Sequence, residues 1–203
     1  MARLAGRITV LFIACFVLLV SIFKSATPTY NFTQPASVVI NKDLTEEIEY
    51  PLPYPGSILP DHILWPTKAL RDWAWIFVNR DPVRRAELYL LFADKRILMA
   101  QRLIKNGNAN LGVPTALKAE QYLESAYKEQ EAASKKGVNT GDFLEKLASA
   151  SLKHMEIIRQ SMDNSPEDAK PGLNQIMDVP KSIYEKSVHG LNEKQRPAPK
   201  NQP

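Results

Sequence analysis

From Asp81 to Gly107 the chain keeps a single apolar period. Ala86, Leu90, Ala93, Ile97, Ala100 and Ile104 alternate four- and three-residue steps, the seam of a helix packed lengthwise against other helices. Tyr89, Phe92, Met99 and Leu103 widen the seam into a broad face, which predicts a helix at the centre of a bundle. Its ends are marked by Asp81, a good N-cap; Pro82, suited to the first helical position; and Gly107, which stops it after about Asn106. This stretch commits the chain to an all-α architecture.

Its neighbours follow the same rule. Before it, Trp65, Ala69, Leu70, Trp73, Ile76 and Phe77 recur at three- and four-residue steps, one apolar face of a shorter helix starting near Pro66. Trp75 falls on the other side with Lys68, Arg71, Asp72 and Asn79. It is covered there by a neighbouring element, or it contacts a membrane surface or partner. After it, Gly107 to Val113 reads as a loop. A third helix near Pro114–Lys136 follows, with Ala116, Ala119, Leu123, Ala126 and Ala133 on one face. Glu124 with Lys128 and Glu131 with Lys135 are favourable pairs on its solvent side. Thr140 caps a fourth helix to about Met162, carrying Leu144, Leu147, Ser151, Met155, Ile158 and Met162. Residues 166–189 read as a weaker segment broken by Pro171-Gly172 and Pro180, docked through Leu173, Ile176, Met177 and Tyr184. From Gly190 the tail, 190–203, is expected to be disordered.

Ahead of the helices, Tyr50 to His62 carries prolines at 51, 53, 55 and 60, so it is extended or turned. It also carries Tyr50, Leu52, Tyr54, Ile58 and Leu59, too much apolar surface for a linker. It reads as a strap over the first two helices, through Tyr54, Ile58 and Leu59.

Ile8 to Phe23 is sixteen residues without a charge, preceded by Arg3 and Arg7 and followed by Lys24. Cleavage after Ala26 would put Lys24 at the −3 position, a poor site, so a retained signal anchor at 8–24 is the first reading and a cleaved signal peptide the second. Sixteen helical residues span about 24 Å, workable with thinning or snorkelling. Two arginines before against one lysine after place residues 1–7 in the cytoplasm and the bulk outside. Residues 25–49 form a tether, in which Asn31-Phe32-Thr33 fits a glycosylation sequon. The net charge of +4 is largely a flank effect, because setting aside Arg3, Arg7 and Lys24 leaves 23 basic against 22 acidic residues. No nucleic-acid partner is expected. Cys15, the sole cysteine, excludes an intrachain disulfide or a cysteine metal cluster.

Chemistry is sparse. The three histidines, 62, 154 and 189, form no HxxxH or HExxH pattern, and no glycine-rich phosphate loop is present. His154 follows Phe143, Leu147 and Ala150 at helical steps and is expected to border the core. Asp61 and His62 are read as a turn cap and a loop-fixing hydrogen bond, with a ligand or partner site as the alternative. Arg80, Arg84 and Arg85 face Asp81 and Glu87 and read as a solvated helix start. No catalytic, cofactor or metal residues are assigned. The candidate interaction surface is Tyr50, Tyr54, Asp61, His62, Trp65 and Trp75.

Leu52-Pro53-Tyr54-Pro55-Gly56, Leu59-Pro60-Asp61-His62, Leu70-Arg71-Asp72, Asp81-Pro82 and Arg85-Ala86-Glu87-Leu88 resemble a bacterial family, the domain of unknown function numbered 5667. The resemblance is strongest over 50–106 and reaches about Met162. It implies a membrane-anchored or exported helical protein and no known chemistry. Some relatives carry the domain outside the membrane of a sigma-factor regulator; about seven residues before the apolar segment leave no cytoplasmic module for that role here.

Together these features predict a transmembrane helix followed by an antiparallel bundle of about four helices, 50–165, with a proline-rich strap. The expected role is that of a non-enzymatic cell-envelope binding or scaffold module. Its partners are the lipid bilayer through 8–24 and an envelope protein. The alternative is an extracytoplasmic sensory module for a small ligand or metal ion.

Overall fold

In a computed structural model, residues 50–199 are described. The N-terminal segment, anchor and tether read over 1–7, 8–24 and 25–49 lie outside them, as does the end of the tail. No helix among the described residues is long and apolar enough to cross a membrane.

Five helices follow the strap: α1 Trp65–Val78, α2 Pro82–Lys105, α3 Ala109–Lys135, α4 Gly141–Asp163 and α5 Lys170–Glu193. Asp81 caps α2 by accepting the Arg84 amide. Three helices end in the same motif, in which the two residues after the cap bond back to the last turn. In α2, Gly107 bonds Ile104 and Asn108 bonds Leu103; in α3, Gly137 bonds Ser134 and Val138 bonds Ala133. Gly107 and Gly137 take φ of +79° and +83°, which only glycine adopts without strain. Gln195 does the same after α5 at φ 55°, with Arg196 bonding Leu191.

The helices pair as two antiparallel hairpins, α2 with α3 and α4 with α5, stacked into a bundle. One end of the core joins Ile97, Ala100 and Ile104 with Ala116, Ala119, Ile157, Ile158, Leu173 and Ile176. The other joins Leu90 and Ala93 with Leu123, Ala126, Leu147, Ala150 and Ile183. α2 and α4 therefore run parallel, bridged by Gln101 and Gln160 at 2.9 Å. Every residue of the seam read in α2 is buried; each large aliphatic side chain so buried stabilises the bundle by about 1.5–3 kcal/mol. The pairs Glu124–Lys128 and Glu131–Lys135 form as expected.

Three expectations are corrected. α3 starts at Ala109, not Pro114; Pro114 lies inside it, where it withholds a donation to the carbonyl of Asn110, an exposed residue. The C-terminal segment is one unbroken helix of 24 residues, with Pro171 in its first turn and Pro180 buried within it. Leu173, Ile176, Ile183 and Leu191 are buried along it, enough apolar contact to offset the roughly 3 kcal/mol cost of an interior proline. The start of the tail is held too: α5 runs to Glu193, Arg196 pairs with Asp142 and Glu145, and Tyr184 donates to the Pro199 carbonyl.

The strap lies on the helices but by different side chains than expected. Leu52 packs on one end of the core and Tyr50 on the other. Ile58 and Leu59 are half-buried and Tyr54 is exposed. The Lys68 ammonium fastens it to α1 by donating to the carbonyls of Pro55 and Ile58, at 2.9 and 3.0 Å.

Gly112 marks the closest approach of α2 and α3. A Cβ there would lie 2.4 Å from Ile104 Cγ1 and 3.2 Å from the Ala100 carbonyl oxygen. Gly112→Ala is therefore expected to destabilise the fold by about 1–3 kcal/mol, although alanine is the better helix former by about 1 kcal/mol. Urea unfolding checks this; a midpoint at or above the parent's would mean that the hairpin can open without loss.

Candidate functional site

The six residues read from the sequence as a surface divide into two sets. Tyr54, Asp61 and His62 are exposed. Tyr54 lies under the Arg102 guanidinium at 5.3 Å, and His62 Nδ1 accepts the Leu64 amide at 3.1 Å, fixing the turn into α1. Tyr50, Trp65 and Trp75 are half-buried. Trp65 sits under Arg96 at 5.0 Å, and Arg96 stacks in turn on Tyr122 at 4.9 Å.

The inner face of α1 is rotated from the one expected: Trp65, Ala69 and Ile76 are on it as read, but Leu70, Trp73 and Phe77 are not. Trp65, Ala69, Trp75, Ile76, Lys68 and the buried Asp72 turn toward the bundle. Leu70, Trp73 and Phe77 point outward, continued by Ile63 before the helix and Val78 at its end. Ile63 is 88% exposed, Trp73 59% and Phe77 70%. Trp73 and Phe77 stack on each other at 5.4 Å and both remain mostly exposed among the described residues. Asp72 is held by Arg71 Nη2 at 2.7 Å. Burial lowers the Lys68 and Lys95 ammonium pKa values, so this side of α1 is a packed polar seam.

Inside the bundle lies a second constellation. His154 on α4 is fully buried, as is Glu120 on α3; Asp94 on α2 is 4% exposed. His154 Nδ1 lies 2.7 Å from Glu120 Oε1, and Nε2 lies 3.1 Å from Asp94 Oδ1. Tyr50 donates its hydroxyl to Asp94 Oδ2 at 2.8 Å. Where both acids are carboxylates, which only accept, both ring nitrogens donate and the ring is an imidazolium. Burial alone would push its pKa down; Glu120 and Asp94 outweigh that, lifting it from 6.5 to about 10. Burial, then the Asp94 charge, push the Tyr50 hydroxyl well above its ordinary value of 10.0. Glu120 Oε2 has no hydrogen-bond partner among the described residues.

With both nitrogens committed to carboxylates, His154 offers neither a lone pair to a metal nor a base to a substrate. No cluster of three or more His, Cys, Asp or Glu among the described residues could hold a metal ion. An open cleft of about 420 Å³ between the α2–α3 loop and the start of α5 has Asp168 as its one charged lining residue, and it lies away from this chain of groups.

Sequence reasoning put His154 at the border of the core and missed its partners. A signal was present: Leu90-Asp94-Ile97, Ala116-Glu120-Leu123 and Ser151-His154-Ile158 each place an ionisable residue in a seam position of a different helix. Three ionisable side chains in three seams must meet or be buried alone.

A family model described as Domain of unknown function (DUF5667) matches residues 57–168, more than half of the chain, from the strap through α4. No curated protein matches the chain, and no solved structure does.

Proposed function

Because the chain belongs to the DUF5667 family, whose description names no activity, we propose a role from the surface it presents. It is a cell-envelope binding or scaffold module, tethered by the apolar segment at 8–24, whose contact face is the strap with the outward side of α1. The observation that carries this is the run Ile63, Leu70, Trp73, Phe77 and Val78, left uncovered on a helix whose other side is packed. A contiguous apolar patch of this kind is costly in water and marks a contact site. Trp73 and Phe77 replace Trp75 and Trp65 as the residues expected to carry contact energy, since aromatic side chains dominate such faces.

The test is photocrosslinking of the full chain in membranes of expressing cells, with benzoylphenylalanine at position 70 or 77. Adducts, to protein or lipid, are expected at both, and none at position 128 on the solvent side of α3. No adduct at either position would overturn the assignment of the face.

A further inference from the structure

We propose that the outward face of α1 seats in the interfacial layer of a lipid bilayer, the helix lying along the membrane plane. This rests on the contact-face reading above and on the anchor at 8–24, and it names the occupant of that face.

α1 carries apolar side chains on both sides, mixed with Lys68 and Asp72 on the packed side and unmixed on the outward one. At about 100° per residue, Leu70, Trp73 and Phe77 fall within about 60° of one another, opposite the buried Asp72. An apolar helix face is stable only when it is covered, and α2 and the strap cover the inner side alone. What covers the other must do with few polar contacts. Thr67 is spent on the Leu64 carbonyl at 2.7 Å, and Lys68 and Asp72 are turned inward. A protein interface carries roughly one hydrogen bond per 100–200 Å² and a polar rim; the centre of this face offers one side-chain donor, the Trp73 indole N–H, a group that suits the headgroup level of a bilayer.

Its edge suits a lipid surface. Arg71 borders the face, and Arg80 and Arg84 lie just beyond Val78, all three exposed. Interfacial helices combine such a basic margin with Trp, Phe and Leu set about 5–10 Å into the headgroup layer. Arg71 is shared with Asp72 and Arg84 with Glu87, so the apolar face supplies most of the binding and the arginines add attraction to anionic headgroups. The tether makes the encounter local. Residues 25–49 reach at most roughly 90 Å when extended, so a domain anchored at 8–24 stays close to the same bilayer and its docking is intramolecular.

The experiment uses the full chain with Cys15→Ser and Phe77→Cys, labelled with an environment-sensitive fluorophore and reconstituted in vesicles of phosphatidylcholine and phosphatidylglycerol. Lys128→Cys serves as the control site. The label at 77 is expected to be quenched by headgroup-proximal spin-labelled lipid and protected from aqueous iodide by about threefold or more relative to 128, as an interfacial depth requires. Trp73→Ser, exposed and so foldable by circular dichroism, is expected to reduce that protection. Iodide access at 77 equal to that at 128 overturns the proposal. So does protection that follows chain density without lipid quenching, which assigns the face to a second copy. Protection arising only when envelope protein is added overturns the lipid occupant while the contact face stands; absence of all crosslinks at 70 and 77 would remove the face itself.

Discussion

Replacing His154 with leucine is expected to destabilise the bundle by about 3–5 kcal/mol, the cost of leaving a buried charge without its partner. His154 lies between Asp94 Oδ1 and Glu120 Oε1, and Glu120 Oε2 lacks a hydrogen-bond partner among the described residues. The leucine removes the imidazolium and leaves two carboxylates in a space without water contact. Urea unfolding of the full chain, followed by circular dichroism, measures the loss. The decisive comparison is Tyr50→Phe, Asp94→Leu, Glu120→Leu and His154→Leu together. Removing all four polar groups removes the desolvation cost along with the attraction, so this variant is expected to regain most of the lost stability. The four effects are then strongly non-additive. A single variant within about 1 kcal/mol of the parent would show that the ring is not an imidazolium, because a neutral ring gives up only an ordinary hydrogen bond.

How far the sequence reached depends on which side of a helix is apolar. In α2 an unbroken apolar seam runs between a capping Asp81 and a stopping Gly107, so the helix, its ends and the all-α class were legible, although α2 is buried on other sides as well, at Leu91 and Phe92. In α1 both faces carry apolar side chains. Counting apolar positions favours Leu70, Trp73 and Phe77 as the inner side, yet the packed side is the one with Lys68 and Asp72. It wins because Lys68 bonds two strap carbonyls and Asp72 sits beside the Lys68 and Lys95 charges. No local pattern carries that information, since the strap and α2 supply the partners. α5 was misread for the opposite reason. Pro171 and Pro180 are breakers by local rule, and only the core contacts of Leu173, Ile176 and Ile183 make an unbroken helix favourable. The strap was recognised as part of the domain, but its inward anchor, Tyr50, pairs with a residue 44 positions away, beyond any spacing argument.

Alkaline pH is expected to destabilise the protein. His154 has its folded pKa raised to about 10 from 6.5. A base whose pKa is raised by folding contributes stability that is complete below about 6.5 and is lost as pH climbs toward 10, because the native state there binds a proton that the unfolded chain has released. One proton corresponds to roughly 1.4 kcal/mol per pH unit, so a loss on the order of 2 kcal/mol is expected between pH 7 and pH 9. Tyr50, held well above 10.0, acts in the same direction but only at more alkaline pH, where the unfolded chain ionises. Lys68 and Lys95, lowered by burial, act in the opposite sense, and both lie on the α1 side of the molecule. Unfolding midpoints at pH 6, 7, 8 and 9 should therefore fall steadily for the parent and stay nearly level for His154→Leu. A parent profile that is flat, or that rises with pH, would mean that the imidazolium between Glu120 and Asp94 does not exist.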